Sequence, residues 1–195
     1  ARCDYRQDLS AVKLRLSARR ARMWATMSDT EPVAKPDHST LRVFTLGHSD
    51  HSAEEFVTLL QKHRVAMVVD VRSQPYSQWA PQFNRENLSR ALTAAQVRYH
   101  FLGDVLGGRP SNRELYDPGH ETVNYERLSA SVEYAQGIDE LIRVARECAE
   151  NVAILCSEGD YHKCHRGRLI TPTLLRRGVR VTHIQPDGST VEAEL

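Results

Sequence analysis

Apolar runs of strand length alternate along this chain with segments that repeat apolar residues at helical spacing. The run 66–71 is apolar except for Asp70, as expected for a strand buried on both faces of a parallel sheet. Strands are predicted at 41–46, 66–71, 97–101, 152–156, 180–185 and, at an edge, 191–193; helices are predicted at 52–60, 88–95, 125–135, 138–149 and after Cys164. The alternation predicts an α/β fold, with a mostly parallel sheet flanked by helices in Rossmann-like layering.

Local signals fix some of these boundaries. Ser52 followed by Glu55 is a capping box and predicts the start of the first helix. Asn84 is a good N-cap for the second helix. The helix after Cys164 contains Pro172, so it is predicted to be kinked or broken there.

The first 40 residues differ from the rest. Seven basic residues lie between Ala1 and Trp24, and Pro32 and Pro36 fall in a polar linker that follows. We therefore divide the chain into a basic N-terminal extension with its linker (1–40) and one α/β domain of catalytic type (41–195). The extension is either an upstream-translated or vector-derived segment or a basic arm that contacts nucleic acid.

The bulk composition excludes several classes of protein. A formal net charge of +1 means that any contact with nucleic acid depends on local patches. Four cysteines at irregular spacing in 195 residues do not indicate a disulfide scaffold. No apolar run approaches the roughly 18 to 20 residues that span a bilayer. We expect a cytoplasmic protein without a membrane partner.

The segment 154–166 concentrates the reactive residues of the chain. An apolar run ends at Cys156, a polar loop carries Glu158, and Cys164, His165 and Arg166 stand where the next helix is predicted to start. Helix starts bind anions, and their field should lower the pKa of Cys164. Arg166 adds a bidentate donor for phosphate or carboxylate.

Three interpretations of Cys156 and Cys164 stay open. One cysteine is a nucleophile assisted by the other, or the two form a reversible disulfide, or both bind a metal together with His162 or His165. Their spacing is not the short pair usual in structural zinc sites, so metal is the least favoured, and we expect no cofactor.

Other polar residues stand at predicted strand ends, where α/β sheets bind ligands. Asp70, His48 and Glu158 are candidates for acid–base or electrostatic catalysis. The further candidates for binding substrate or phosphate are Gly47, Ser49, Arg72, Gln82, Phe83, Tyr99, Gly107, Gly108, His165 and Arg166. Tyr76, Trp79 and Phe83 interleave with amides, a pattern that can stack on unpaired bases or anchor a loop. The Gly- and Pro-rich segment 103–122 is predicted to be a functional or mobile loop.

Several of these motifs occur together in a known family. Thr45-Leu46-Gly47-His48-Ser49, Asp70-Val71-Arg72-Ser73, Gln82-Phe83-Asn84, Tyr99 with Leu106-Gly107-Gly108, and Cys156-x-Glu158 with Cys164-His165-Arg166 resemble the signatures of the domain-of-unknown-function 488 family, over about 41–184. The resemblance implies an enzyme-like α/β domain with the paired-cysteine loop as its site. Loose DNA-repair labels attach to the family. A fainter similarity, through Asp70-Val71-Arg72 and the strand ending at Cys156, is to rhodanese domains.

The leading hypothesis is an enzyme that acts on a phosphate-bearing substrate, nucleic acid or nucleotide. Its preferred version is a DNA-repair-type hydrolase that removes a base like a glycosylase, which must take that base out of the stack. The first alternative is a cysteine-dependent sulfurtransferase or thiol-redox enzyme. The second is a non-catalytic module that binds nucleic acid.

Overall fold

The structure, a computed structural model, describes residues 41–119 and 121–195. The predicted basic extension and linker, 1–40, lies outside the described residues, so the boundary at residue 41 stays a prediction. Among the residues described, there is no helix with the length and apolarity needed to cross a membrane.

The described residues form one mixed sheet with helices on both faces, which confirms the predicted α/β fold. Its strands are β1 (Arg42–Gly47), β2 (Val65–Asp70), β3 (Arg98–Phe101), β4 (Asn151–Cys156), β5 (Arg180–Ile184) and β6 (Thr190–Glu192). Their order is β3-β2-β4-β1-β5-β6, and only β6 runs antiparallel to its neighbour.

The helices are α1 (Ala53–Lys62), α2 (Arg85–Ala94), α3 (Gly103–Leu106), α4 (Tyr125–Ser129), α5 (Val132–Glu147) and α6 (Thr171–Arg176). The side chains of Ser52, Asn124 and Ser131 accept backbone hydrogen bonds at the starts of α1, α4 and α5. The predicted capping box is confirmed: the Glu55 backbone N–H donates to Ser52 Oγ, and the Ser52 N–H donates to the Glu55 carboxylate. Asn84 stands at the N-cap of α2, but its side chain accepts from the Ser77 N–H instead and so fixes the preceding loop.

The predicted division between helices at 135–138 is wrong. The chain turns at Ala130 and Ser131, and α5 then runs unbroken through Gly137. A Cβ at Gly137 would lie 2.7 Å from Val105 and 2.9 Å from Leu106. This glycine therefore lets α3 pack closely against α5 and does not end the helix.

The predicted break near Pro172 is confirmed. Arg166–Ile170 forms one π-helical turn, and α6 starts at Thr171 with Pro172 in its first turn, where the missing N–H costs nothing. Thr171 Oγ1 donates to the Arg166 carbonyl at 2.7 Å.

The segment 103–122, predicted to be a functional or mobile loop, contains short elements of its own. These are α3, a 3₁₀ turn at Arg113–Leu115 and a bridge between Tyr116 and Val123.

Side chains of the central strands alternate between two apolar cores. Val69 and Ile154 pack with α5 and α6, whereas Val68 and Leu155 pack with α1 and α2. The chain leaves β2 towards the edge strand β3, but it leaves β4 towards β5 on the other side. The loops after β2 and β4 therefore diverge, and such a point leaves a crevice at the carboxyl ends of the strands.

Candidate functional site

A cleft of about 410 Å³ opens where the loops after β2 and β4 diverge. It brings together six residues predicted from the sequence: Arg72, Gly108, Cys156, Glu158, Cys164 and His165. The loop after β4 supplies Cys156 and Glu158, and the turn that follows supplies Cys164 and His165. The cysteine loop predicted from the sequence is thus one wall of this cleft.

The imidazole of His165 has a defined orientation. Its Nε2 lies 3.0 Å from the backbone oxygen of Val71, and its Nδ1 lies 3.6 Å from Cys156 Sγ. Because a carbonyl oxygen only accepts, Nε2 carries the hydrogen. In the neutral form of the imidazole, the Nδ1 lone pair then faces the Cys156 sulfur. This geometry matches that of a nucleophile and a base held in place by a third group.

The two buried thiols titrate differently. A hydrogen bond from Cys164, together with the Arg166 charge and the backbone N–H groups of Ser157 and Glu158, lowers the pKa of Cys156 to about 7 despite its burial. The same contact with Cys156, and burial, raise the pKa of Cys164. The direction at Cys164 is opposite to the lowered pKa predicted from the helix start, because the neighbouring Cys156 sulfur and burial both disfavour its thiolate.

Arg166 organises the loop from beneath. It is fully buried; its guanidinium donates to the carbonyls of Glu158 and Gly159, and its backbone N–H and Nη1 each lie 3.3 Å from Cys164 Sγ. Its donors are largely taken up by its own loop. Direct binding of phosphate by Arg166 stays a prediction; what the contacts provide is a positive charge beside both sulfurs.

The end of β2 carries a closed polar network. Asp70 is fully buried and accepts two side-chain bonds from Arg72, at 2.9 and 2.7 Å, one from the Arg72 backbone N–H and one from the Tyr99 hydroxyl at 2.8 Å. Arg72 also donates to the Phe83 carbonyl. Within the described residues, these bonds use the Arg72 backbone N–H, Nε and Nη2, which leaves Nη1 to the cleft that Arg72 lines.

The residues at the end of β1 lie behind the cysteine loop. A Cβ at Gly47 would lie 1.8 Å from the backbone oxygen of Glu158. Only glycine therefore fits at this position with the cysteine loop in its observed place. His48 is buried and stacks on Phe83 with ring centroids 4.4 Å apart; burial lowers its pKa to about 4. Ser49 adopts φ 49 and donates its N–H to the Ser157 carbonyl.

Of the remaining predicted residues, the two glycines pack beside the cleft, whereas Gln82 and Phe83 contact other parts of the protein. Gly108 packs on the His165 imidazole, because a Cβ there would lie 2.7 Å from its Cγ, and Gly107 packs on Ser73. Gln82 donates to the His51 carbonyl, and Phe83 is buried in the core on the α1 side. None of the six predicted residues His48, Ser49, Gln82, Phe83, Tyr99 and Asp70 lines the cleft in the part of the chain that the structure describes. Their roles in catalysis or binding stay predictions.

Sequence reasoning missed several residues of the cleft, among them Tyr125, Ser157 and Lys163. Arg109 also reaches it, and its backbone N–H donates to Ser73 Oγ at 2.8 Å. Lys163 could have been found from its place beside Cys164, but Tyr125 could not, because it joins the cleft only through packing of α4. Nearby, Tyr76 and Trp79 are 76% and 88% exposed on the loop after β2.

One family model matches this chain. It is described as domain of unknown function DUF488, and it matches residues 52–171. The chain belongs to the DUF488 family. The matched region of this DUF488 protein contains both sides of the cleft, from Arg72 to His165. It is shorter than the resemblance predicted over about 41–184 and does not include the motif at 45–49. No curated protein and no solved structure matches the chain.

Proposed function

We propose that this DUF488 protein is a cysteine-dependent enzyme in which Cys156 is the nucleophile. The observation that carries the proposal is the orientation of His165, whose Nδ1 faces Cys156 Sγ while Nε2 donates to Val71. His165 accepts the thiol proton. The Cys164 thiol and the Arg166 charge stabilise the thiolate that results.

Sulfur transfer is the reaction that this arrangement supports best. The Cys156 thiolate attacks the outer sulfur of an anionic donor such as thiosulfate. A bond forms between Cys156 Sγ and that sulfur, the S–S bond of the donor breaks, and its electron pair leaves with sulfite. Arg72 Nη1 donates a charge-assisted hydrogen bond to the anionic end of the donor. The product is a persulfide on Cys156.

Nucleic acid or a nucleotide, the partner predicted from the sequence, is the proposed acceptor of this sulfur. Exposed aromatic side chains stack on unpaired bases without requiring a particular sequence. Tyr76 and Trp79 meet this need, and Tyr76 itself lines the cleft with Cys156. Arg109 adds a cation at the same opening. These features also suit the binding-only alternative, which differs in forming no product.

Base removal, the version preferred from the sequence, receives less support. It needs a carboxylate that activates water or stabilises a cationic sugar, and Asp70 was the first candidate. Both oxygens of Asp70 are occupied by Arg72 and Tyr99, away from the cleft. Glu158, which is exposed at the rim, is the carboxylate available to this reaction. Base-specific cleavage of modified oligonucleotides that depends on Glu158 would favour it.

The test of sulfur transfer uses the full chain, reduced and then incubated with thiosulfate, followed by peptide mass spectrometry. We expect one added sulfur atom on the peptide that contains Cys156 and sulfite in solution. Cys148→Ser is the matched control, because Cys148 is a half-buried cysteine on the α5 side, outside the cleft, and it should leave the reaction unchanged. Cys156→Ser should abolish it. Absence of the persulfide in the wild-type protein, with several anionic donors, would overturn the proposal.

A further inference from the structure

Three donor atoms of the cysteine loop lie close enough to share one metal ion. The two sulfurs of Cys156 and Cys164 and a ring nitrogen of His165 all lie within 4.8 Å of one another, and the three residues are buried. Zinc bonds to sulfur and nitrogen are about 2.3 and 2.0 Å long, so neighbouring ligands of a tetrahedral ion lie roughly 3.5 to 4 Å apart. The 3.6 Å between Cys156 Sγ and His165 Nδ1 already meets this requirement.

The groups around these donors are those that a metal site needs. Metal-binding histidines donate their other ring N–H to a carboxylate or carbonyl, and His165 Nε2 donates to Val71 in this way. Nδ1 is left without a hydrogen and can bind a cation. The backbone N–H of Arg166 donates to Cys164 Sγ at 3.3 Å, which stabilises the thiolate form that binds metal.

The fourth coordination position of a tetrahedral ion held by these three ligands would face the cleft. Cys156, Cys164 and His165 all line it, and no further His, Cys, Asp or Glu of the described residues joins the group. Three protein ligands with one open position are typical of zinc sites that exchange a water or a small anion. The Arg166 guanidinium does not close this face, because the carbonyls of Glu158 and Gly159 hold it against Cys164.

We propose that Cys156, Cys164 and His165 bind one Zn²⁺ ion, with an exchangeable fourth position open to the cleft. The sequence disfavoured a metal because seven residues separate the cysteines, but the loop folds back and replaces the usual short pair with Cys156 and the adjacent Cys164-His165. Zinc binding displaces the thiol protons and occupies both sulfurs and Nδ1. The metal-bound protein therefore has no free Cys156 nucleophile. The inference goes beyond the proposed function, since metal binding and sulfur transfer use the same atoms in different states.

Cobalt is a direct probe of the site. The full-length protein, reduced and stripped of metal with a chelator, is titrated with Co²⁺ under anaerobic conditions. We expect one ion per chain, visible bands of tetrahedral Co²⁺, a thiolate-to-cobalt charge-transfer band in the near ultraviolet, and loss of these bands when Zn²⁺ is added. Cys148→Ser should give the same spectrum. Cys164→Ser should weaken the charge-transfer band, and His165→Ala should weaken binding.

A second measurement avoids the ligand variants, which could fail to fold. Iodoacetamide alkylation of Cys156 in the wild-type protein is followed with and without Zn²⁺. At a free Zn²⁺ concentration about ten times its Kd, only about one eleventh of the protein is metal-free, so alkylation should slow about tenfold and recover with chelator. Octahedral Co²⁺ spectra without charge transfer, or alkylation unaffected by Zn²⁺, would overturn the metal site. Either result leaves the persulfide test intact when that test is run on protein stripped of metal with the same chelator.

Discussion

The ends of β2 and β4 lie side by side in the sheet and both carry buried ionisable groups, yet they differ in how completely those groups are satisfied. At β2, Asp70 accepts four hydrogen bonds and faces the protein interior. At β4, Cys156 faces a cleft beside an imidazole lone pair. A closed network stabilises a structure, because burying an unpaired charge is costly. An open one keeps reactive atoms available, and we infer that the chemistry lies at β4.

Removal of Asp70 should have the largest effect on stability. Asp70→Ala leaves Arg72 buried without its partner, which should lower the free energy of unfolding by about 3 to 5 kcal/mol. Urea denaturation followed by circular dichroism measures this loss. Glu140→Ala removes a carboxylate that pairs with Arg143 at the surface and should cost about 0 to 1 kcal/mol. Equal losses in the two variants would contradict the structural role of Asp70.

Acid should destabilise the protein through two buried histidines outside the cysteine loop. Burial lowers the pKa of both His48 and His183 from 6.5 to about 4. Because the folded pKa lies below the unfolded one, their contribution is complete above about pH 6.5 and is lost as the pH falls towards 4. The shift at His48 corresponds to roughly 3 kcal/mol. Stability measured between pH 7 and pH 4 should fall steeply, and less steeply in the double variant His48→Gln, His183→Gln. Identical pH profiles would rule out this cause.

Gly108→Ala should disturb the cleft at the end of β4 while leaving the Asp70 network at the end of β2 intact. The new methyl group would lie 2.7 Å from the His165 ring and must displace it. A displacement of about 1 Å in a catalytic group can cost on the order of 100-fold in rate. The measurement is the rate of persulfide formation at Cys156. Gly119→Ala is the control, because no atom of the residues that the structure describes lies within 4 Å of its added Cβ. It should strain only its own positive-φ backbone. A rate within twofold of wild type for Gly108→Ala would argue against His165 as the base.

Tyr99→Phe should have a smaller effect on stability than Asp70→Ala. It removes one of the four bonds to Asp70, and a hydrogen bond to a charged group contributes about 1.5 to 3 kcal/mol, with the lower end expected for this half-buried hydroxyl. Thermal unfolding tests this, with Tyr116→Phe as the control, because Tyr116 donates to the neutral Pro110 carbonyl. Persulfide formation should not change in either variant. A loss of reaction in Tyr99→Phe would mean that the two strand ends are coupled.

The fold was largely predictable because its signals are local. The apolar run 66–71, the capping box at Ser52 and the proline after Cys164 each act over a few residues. The division of α5 was mispredicted, since Gly137 is explained only by its contact with α3. In the sequence, a glycine that ends a helix looks the same as one that lets another helix pack closely against it.

The candidate site was predictable in location but not in its contacts. Parallel strands place their carboxyl ends together, so Arg72 and Cys156 were expected near one another. Which atom His165 offers to Cys156 depends on a hydrogen bond to Val71, 94 residues away in sequence. Long-range packing also places His48, Gln82 and Phe83 outside the cleft. His48 and Phe83 stack on each other there, and Gln82 donates to the His51 carbonyl. Sequence patterns do not contain that information.

Differential alkylation of the metal-free native protein tests the central claim most directly. Light iodoacetamide is applied briefly at neutral pH, the protein is unfolded, and heavy reagent labels the remaining thiols, so that peptide mass spectrometry gives a rate for each cysteine. We expect Cys156 to react faster than the more exposed Cys148, and Cys164 to react slowest of the three. If Cys148 reacts first and Cys156 reacts no faster than an ordinary buried thiol, the β4 end is not the reactive centre.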